Sequence, residues 1–213
     1  MIRVLVADDH AVVRRGLRQI LSETSDIHVQ AEATTAHEVL DLVRTQRFDV
    51  VVLDVNLRAG NGIELVGDIR RERPTLPVLI LTVYPEEQYA VRAIKAGAAG
   101  FLTKESAPER LIEAVRKVAA GGRWVSAELA ETLASMLAGE RSGPPHELLS
   151  DREFEVFKML ASGKTVSQVA QDLSLSVKTV STHRTRILRK MNMKTNAELT
   201  HCAMKNRLVE PAP

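Results

Sequence analysis

The sequence predicts two folds in one chain: an α/β unit with a parallel sheet over residues 1–121 and an all-α unit over residues 148–213. Three observations lead there. Short runs rich in β-branched residues alternate with stretches of helical period up to about residue 120, the pattern of successive β-α units. Residues 148–208 instead read as four helices in a row. Charge also changes sign between the two parts. Residues 148–213 hold 11 Lys and Arg against 6 Asp and Glu, whereas residues 1–147 hold 18 against 21.

In the first part the strand candidates are 2–7, 27–33, 49–54, 77–82 and 99–103. Each is short and apolar, as strands buried on both faces of a parallel sheet are. Helical period fills 10–22, 35–45, 61–72, 86–96 and 107–120. Thr35 with Glu38, Asn61 with Glu64, and Ser106 with Glu109 have the spacing of a capping box or a close variant. Five such units in about 120 residues match a flavodoxin-like, doubly wound sheet with strand order 2-1-3-4-5.

That order brings particular side chains to one edge. Asp8 and Asp9 follow the first strand, Asp54 ends the third, Thr82 ends the fourth and Lys104 follows the fifth. Strands one and three are neighbours and form the crevice where such sheets bind ligands. A lone carboxylate there is more often a turn or helix cap than a nucleophile. Three together repel by roughly 4 kcal/mol per pair at about 4 Å and an effective dielectric near 20. Lys104 offsets part of that, so the cluster implies either raised carboxylate pKa values or a bound divalent cation. All-oxygen ligands favour Mg²⁺.

Residues 122–147 read as a linker. Gly121-Gly122 stops the preceding helix. Ser126 to Leu137 carries an apolar stripe at Leu129, Leu133, Met136 and Leu137. Residues 138–145 form a breaker-rich tether.

The last part begins three helices with capping-box spacing, at Ser150 and Glu153, Thr165 and Gln168, and Thr195 and Glu198, with Ser176 as N-cap of the other. Helices at 165–172 and 176–191, joined by Leu173-Ser174-Leu175, form a helix-turn-helix. At helical period Val180, Ile187 and Met191 share a core face. Lys178, Thr182, Thr185 and Arg189 lie opposite, flanked by Ser181 and Arg186. An apolar back and a basic, hydroxyl-bearing front suit a DNA major groove; an ordinary solvated face is the competing reading.

Bulk composition fits a globular protein, with 45% hydrophobic and 26% charged residues and a net charge of +2. The single cysteine, Cys202, excludes an internal disulfide and suits a reducing compartment. Residues 1–9 do not resemble a signal peptide, and the longest apolar run, near Val78 to Leu81, is too short for a bilayer. A cytoplasmic protein without membrane contact is expected.

Asp8-Asp9, Asp54, Thr82 and Lys104, with Gly62 and Phe101, resemble the receiver domain of two-component response regulators over roughly residues 1–120. The resemblance implies Asp54 as phosphoacceptor. It implies Mg²⁺ held by Asp8, Asp9, Asp54 and the backbone carbonyl of Asn56. Lys104 would pair with the phosphoryl group, Thr82 would hydrogen-bond to it, and Phe101 would change rotamer when Thr82 moves. Two features depart from the common pattern: Leu57-Arg58 replaces Met-Pro, and Glu105 rather than Pro follows Lys104.

From Leu149 to Met191 the chain resembles the LuxR-type domain of the NarL/FixJ family, with Leu149-Ser150-Asp151-Arg152-Glu153, Thr179-Val180-Ser181-Thr182-His183 and Lys190-Met191. That implies base contacts from Ser181, Thr182 and Thr185, and backbone contacts from Lys178 and Arg184. It also implies dimerisation through residues 195–208. Members often carry Lys in place of Ser181. The expected protein is a phosphorylation-controlled transcription factor and not a turnover enzyme. Its partners would be a sensor histidine kinase, double-stranded promoter DNA, a second copy of itself on activation, and RNA polymerase. A phosphatase using Asp54 would need a carboxylate where Asn56 stands. A regulator controlled by another ligand, with a vestigial receiver, would not need the five site residues intact.

Overall fold

The computed structural model describes residues 1–57, 60–84, 86–106, 108–137 and 144–209. The chain divides into two compact units, Met1–Leu137 and Ala138–Pro213.

The first unit alternates strands and helices: β1 (Ile2–Ala7), α1 (Ala11–Ser22), β2 (Ile27–Ala33), α2 (Ala36–Thr45), β3 (Val50–Leu53), α3 (Gly62–Glu72), β4 (Val78–Thr82), α4 (Glu86–Ala96), β5 (Gly100–Thr103) and α5 (Pro108–Ala119). All five strands are parallel, in the order β2-β1-β3-β4-β5. This is the doubly wound sheet expected. Period-two alternation sends Val4, Val6, Val50, Val52, Leu79 and Leu81 into one core, where they meet Leu17 and Leu21 of α1 and Leu111, Val115 and Val118 of α5. Leu5, Val51, Leu53, Ile80 and Phe101 alternate to the other face and are equally buried. With both faces covered, β3 is buried at all four residues, which explains its unbroken apolar run.

Two short segments, Asn56–Leu57 and Gly60–Asn61, pair antiparallel just beyond β3. Such a hairpin is too short to leave a periodic signal. Past α5, Trp124 bridges in parallel to Gly100 on the sheet edge. Helix α6 (Ala127–Leu137) follows. It lies within the first unit, against α4. The tether expected at 138–145 lies outside the described residues except for Pro144 and Pro145, as does Arg58.

The second unit opens with a 3₁₀ turn (Pro145–Leu148) and holds α7 (Asp151–Ala161), α8 (Val166–Asp172), α9 (Val177–Lys190) and α10 (Asn196–Lys205). Its core joins Phe154, Phe157 and Leu160 of α7 to Val180 and Ile187 of α9 and Leu199 of α10. Ser150–Glu153 and Thr165–Gln168 close as complete capping boxes. Thr195 and Thr35 accept from the N3 amide, but Glu198 and Glu38 reach one residue further back, to the amides of Lys194 and Thr34. Asn61 accepts from Ile63 rather than from Glu64. Among the described residues no helix is long and apolar enough to cross a membrane.

Candidate functional site

The carboxyl ends of β1, β3, β4 and β5 bring together the residues singled out in the first unit. Asp54 follows β3 directly, and its amide donates to the carbonyl of Ala7 at 2.9 Å, so its backbone belongs to the sheet. Asp8 is fixed in the same way, donating to Ala33 at 3.2 Å. The Lys104 amide donates to the Thr82 carbonyl at 2.8 Å.

Above this frame the Lys104 ammonium lies 2.7 Å from Asp54 Oδ2 and 2.5 Å from Asp8 Oδ2. Asp8 and Asp54 are both buried, at 1% and 4% exposure. Asp54 Oδ1 has no hydrogen-bond partner, a costly state for a buried carboxylate oxygen. Burial pushes the Asp54 carboxyl above its ordinary value, opposed by Lys104 and assisted by the charge of Asp8. For Lys104, burial acts downward, but its bonds to Asp54 and Asp8 outweigh it and hold the ammonium above the usual lysine value. The two expectations for the cluster therefore coexist: a raised carboxylate pKa, and a donor set able to take a cation. One ligand atom each from Asp8, Asp9, His10 and Asp54 lies within 4.8 Å of the others.

Thr82 is fully buried and accepts from the Tyr84 amide at 3.4 Å. Phe101 is buried in β5, two residues before Thr103, the partner of Thr82 in the ladder. Asn56 is exposed at the mouth, and its side-chain amide donates to the Tyr84 hydroxyl at 2.8 Å. The Tyr84 ring in turn stacks on Tyr89 of α4, with centroids 4.4 Å apart.

In the second unit, α8 and α9 are joined by a tight turn in which Ser174 has φ of 52°. Arg152 holds that turn from α7, donating to the Leu173 carbonyl at 3.1 Å. Ser176 caps α9 by accepting from the Thr179 amide at 3.0 Å. The helix buries Val180 and Ile187, with Met191 just past its end. Lys178, Ser181, Thr182, Thr185, Arg186 and Arg189 are exposed on it. The Thr182 and Thr185 hydroxyls donate to the carbonyls of Lys178 and Ser181, each at 3.0 Å, and so can still accept a hydrogen bond. Arg184 is half-buried and donates to Asn196 at the start of α10 at 2.7 Å. Glu153 fixes α9 from below: its Oε2 accepts from the Ser150 amide at 2.8 Å and from Lys190 Nζ at 2.6 Å.

The family described as response regulator receiver domain matches residues 4–116, and that of bacterial regulatory proteins of the luxR family matches residues 147–203. The response regulator UvrY of Escherichia coli K12 is 35% identical, over 98% of this chain and 96% of its own. The chain is a NarL/FixJ-family response regulator.

A second curated relative of the response regulator matches over a similar extent, and a solved structure over part of the chain. The oxygen regulatory protein NreC of Staphylococcus epidermidis is 36% identical, over 98% of this chain and 99% of its own. A solved LuxR-family two-component response regulator from Aurantimonas sp. is 34% identical, with a TM-score of 0.59, covering 65% of this chain and 99% of its own.

Reading the sequence of the regulator overlooked two side chains at the site. His10 closes the run Asp8-Asp9-His10, and its adjacency alone would have flagged it. Tyr84 stands two residues past Thr82, as Asn56 stands two past Asp54, and only the fold brings that pair together. The Lys190–Glu153 ion pair, between residues 37 apart, also escaped notice.

Proposed function

We propose that this response regulator accepts a phosphoryl group on Asp54 from a sensor histidine kinase and that the modified form binds promoter DNA as a dimer. The observation that carries the reading is the Asp54 carboxylate, buried, with Lys104 on Oδ2 and Oδ1 without a partner. Asp8, Asp9, Asp54 and the Asn56 carbonyl would hold Mg²⁺, and the oxygen-only set fits that ion. Bound there, Mg²⁺ neutralises charge on the transferring phosphoryl group.

In the transfer, one Asp54 oxygen forms a bond to phosphorus as the bond from phosphorus to the donor nitrogen breaks. Lys104 exchanges its contact with the carboxylate for one with a phosphoryl oxygen. The Thr82 hydroxyl, held among the described residues by a 3.4 Å contact with the Tyr84 amide, is available to another. Its inward movement vacates space for Phe101, a local change of charge that biases a packing element. Asn56 cannot act as an acid or base, which supports a lasting phosphate over turnover; self-dephosphorylation would be slow.

On the DNA side, α9 enters the major groove. Ser181, Thr182 and Thr185 meet base edges; Lys178, Arg184, Arg186 and Arg189 meet phosphates. Dimerisation through residues 195–208 would set two half-sites, and RNA polymerase is the further partner at a promoter. Residues 1–121, 122–147 and 148–213 serve as receiver, linker and DNA-binding domain, in a cytoplasmic protein. A small-molecule phosphodonor with Mg²⁺ tests the first step: the parent takes up phosphate and Asp54→Asn does not. Equal labelling of the two would overturn the mechanism.

A further inference from the structure

We propose that the cavity at the amino ends of β3 and β4 binds a small organic phosphate monoester through Arg47, Arg73 and Thr75. This edge of the sheet is the one opposite Asp54, and the inference is independent of the phosphoryl transfer read there.

The turns that enter β3 and β4 enclose about 250 Å³, lined by Gln46, Arg47, Arg73 and Thr75, with Val43, Phe48 and Leu76 as apolar wall. Arg47 is exposed and Arg73 half-buried, and neither is paired with a carboxylate among the described residues. Arg73 is held in place by α2. Its Nε donates to the Val43 carbonyl and its Nη2 to that of Arg44, each at 3.2 Å, which leaves Nη1 unused. Gln46 Oε1 accepts from Gln30 at 3.1 Å, so its amide NH₂ can still donate. Thr75 adds an exposed hydroxyl.

The carboxylate of the lining, Asp49, is fully engaged. Its Oδ1 accepts from Arg3 Nη2 at 2.9 Å, and its Oδ2 from Arg3 Nε at 3.0 Å and the Arg3 amide at 2.8 Å. The Arg3 guanidinium holds this carboxyl below the ordinary aspartate value. That pair is neutral as a whole, so Arg47 and Arg73 set the sign of the cavity. The carboxyl ends of α2 and α3 reach this edge, and their dipoles act against an anion. Their last carbonyls are taken, however: Leu42 by the Gln46 amide and Ile69 by the Arg73 amide, each at 2.8 Å. A donor-rich, acceptor-poor cavity with planar guanidiniums suits phosphate. Three terminal oxygens can accept from two guanidiniums, a hydroxyl and an amide, whereas a single carboxylate would leave donors unfilled. The apolar wall and the small volume suit a short carbon skeleton.

The probe is glycerol 3-phosphate, titrated calorimetrically into the full chain at low salt without divalent cations. The parent should bind it, and inorganic phosphate, which lacks the carbon skeleton, should bind about tenfold more weakly. Arg47→Gln, at an exposed position, should lose about tenfold in affinity, and Thr75→Val about fivefold. Arg15→Gln, which removes an exposed arginine of α1, should stay within about twofold of the parent, as should Asp54→Asn. No binding by the parent would overturn the inference, and so would unchanged binding in Arg47→Gln. Equal affinity for inorganic phosphate would mean an adventitious ion only and overturn it. Equal weakening in Arg15→Gln would reduce the effect to overall charge, and loss in Asp54→Asn would move the ligand to the opposite edge; either result overturns it as well.

Discussion

Gly62 decides where Asp54 can sit. Its amide donates to the Val55 carbonyl at 2.8 Å, folding the start of α3 against the loop behind β3. A Cβ at this position would come 2.2 Å from the Asp54 carbonyl oxygen and 2.8 Å from Val55 Cα. Both are backbone atoms, so rotamer change gives no relief. Gly62→Ala should therefore cost about 2–3 kcal/mol, read from urea denaturation, and slow phosphate uptake by displacing the acceptor. A neutral substitution would contradict the close approach. At Glu153 the decisive quantity is charge. Burial acts to raise its pKa, but the Lys190 ammonium and the Ser150 amide outweigh it and hold the carboxyl below its usual value. A depressed folded pKa means stability that is complete above the unfolded value, near pH 4.5, and lost as pH falls through the folded value. Glu153→Gln should remove that acid-limb dependence from the second unit. At neutral pH it should cost about 1–2 kcal/mol, since a charged hydrogen bond is replaced by a neutral one. Matched pH–stability curves for variant and parent would refute this role.

At the scale of elements, the edge strand β5 carries the most specific device. Beyond α5 the chain returns to pair with it: the Phe101 amide donates to the Trp124 carbonyl at 3.1 Å, and the Trp124 amide donates to Ala99 at 3.0 Å. This covers backbone groups that an open edge would leave exposed. It also ties the backbone of Phe101 to the segment leading into α6. Gly100 makes the approach feasible, since a Cβ there would lie 2.7 Å from the Trp124 carbonyl oxygen. Gly100→Ala should release the segment, shift Trp124 fluorescence to the red and cost about 1–3 kcal/mol. An unshifted spectrum would show that the clasp tolerates a methyl group. None of this was legible beforehand, because a single bridged residue has no period. The five strands were legible, since doubly buried strands are continuous apolar runs bounded by polar turns. The site at their ends followed from strand order, which placed Asp8, Asp54, Thr82 and Lys104 at one mouth. Helix α9 was legible for a different reason: Val180, Ile187 and Met191 fix its inward face by period alone. The Asn56–Tyr84 and Glu153–Lys190 contacts depend on how whole elements are placed, so local sequence carried no trace of them.

For the whole molecule, the uneven charge is the property that reaches furthest. Residues 148–213 carry 11 Lys and Arg against 6 Asp and Glu, and the first 147 residues carry 18 against 21. An acyl phosphate would add about −2 to the part that is already acidic. Among the described residues of the basic part, three cations are engaged with carboxylates: Lys190 with Glu153, Lys164 with Asp172 at 2.7 Å and Arg152 with Glu155 at 2.6 Å. Arg184 gives one donor to Asn196 and keeps its others. Lys178, Arg186 and Arg189 are exposed on α9, so under the proposed docking four cations of this helix would meet phosphates. Four phosphate contacts per protomer predict a slope of about −3.6 in log affinity against log salt. Over a fourfold rise in salt, that is a loss of roughly a hundredfold per protomer. Lys178→Ala should flatten the slope by about one unit and weaken all DNA sequences alike, because a phosphate contact reads no base. Thr182→Ala should leave the slope unchanged and alter the order of preferred sequences. Binding measured by fluorescence anisotropy on a panel of duplexes at stepped salt separates the two, and a slope near zero in the parent would remove α9 from the DNA interface.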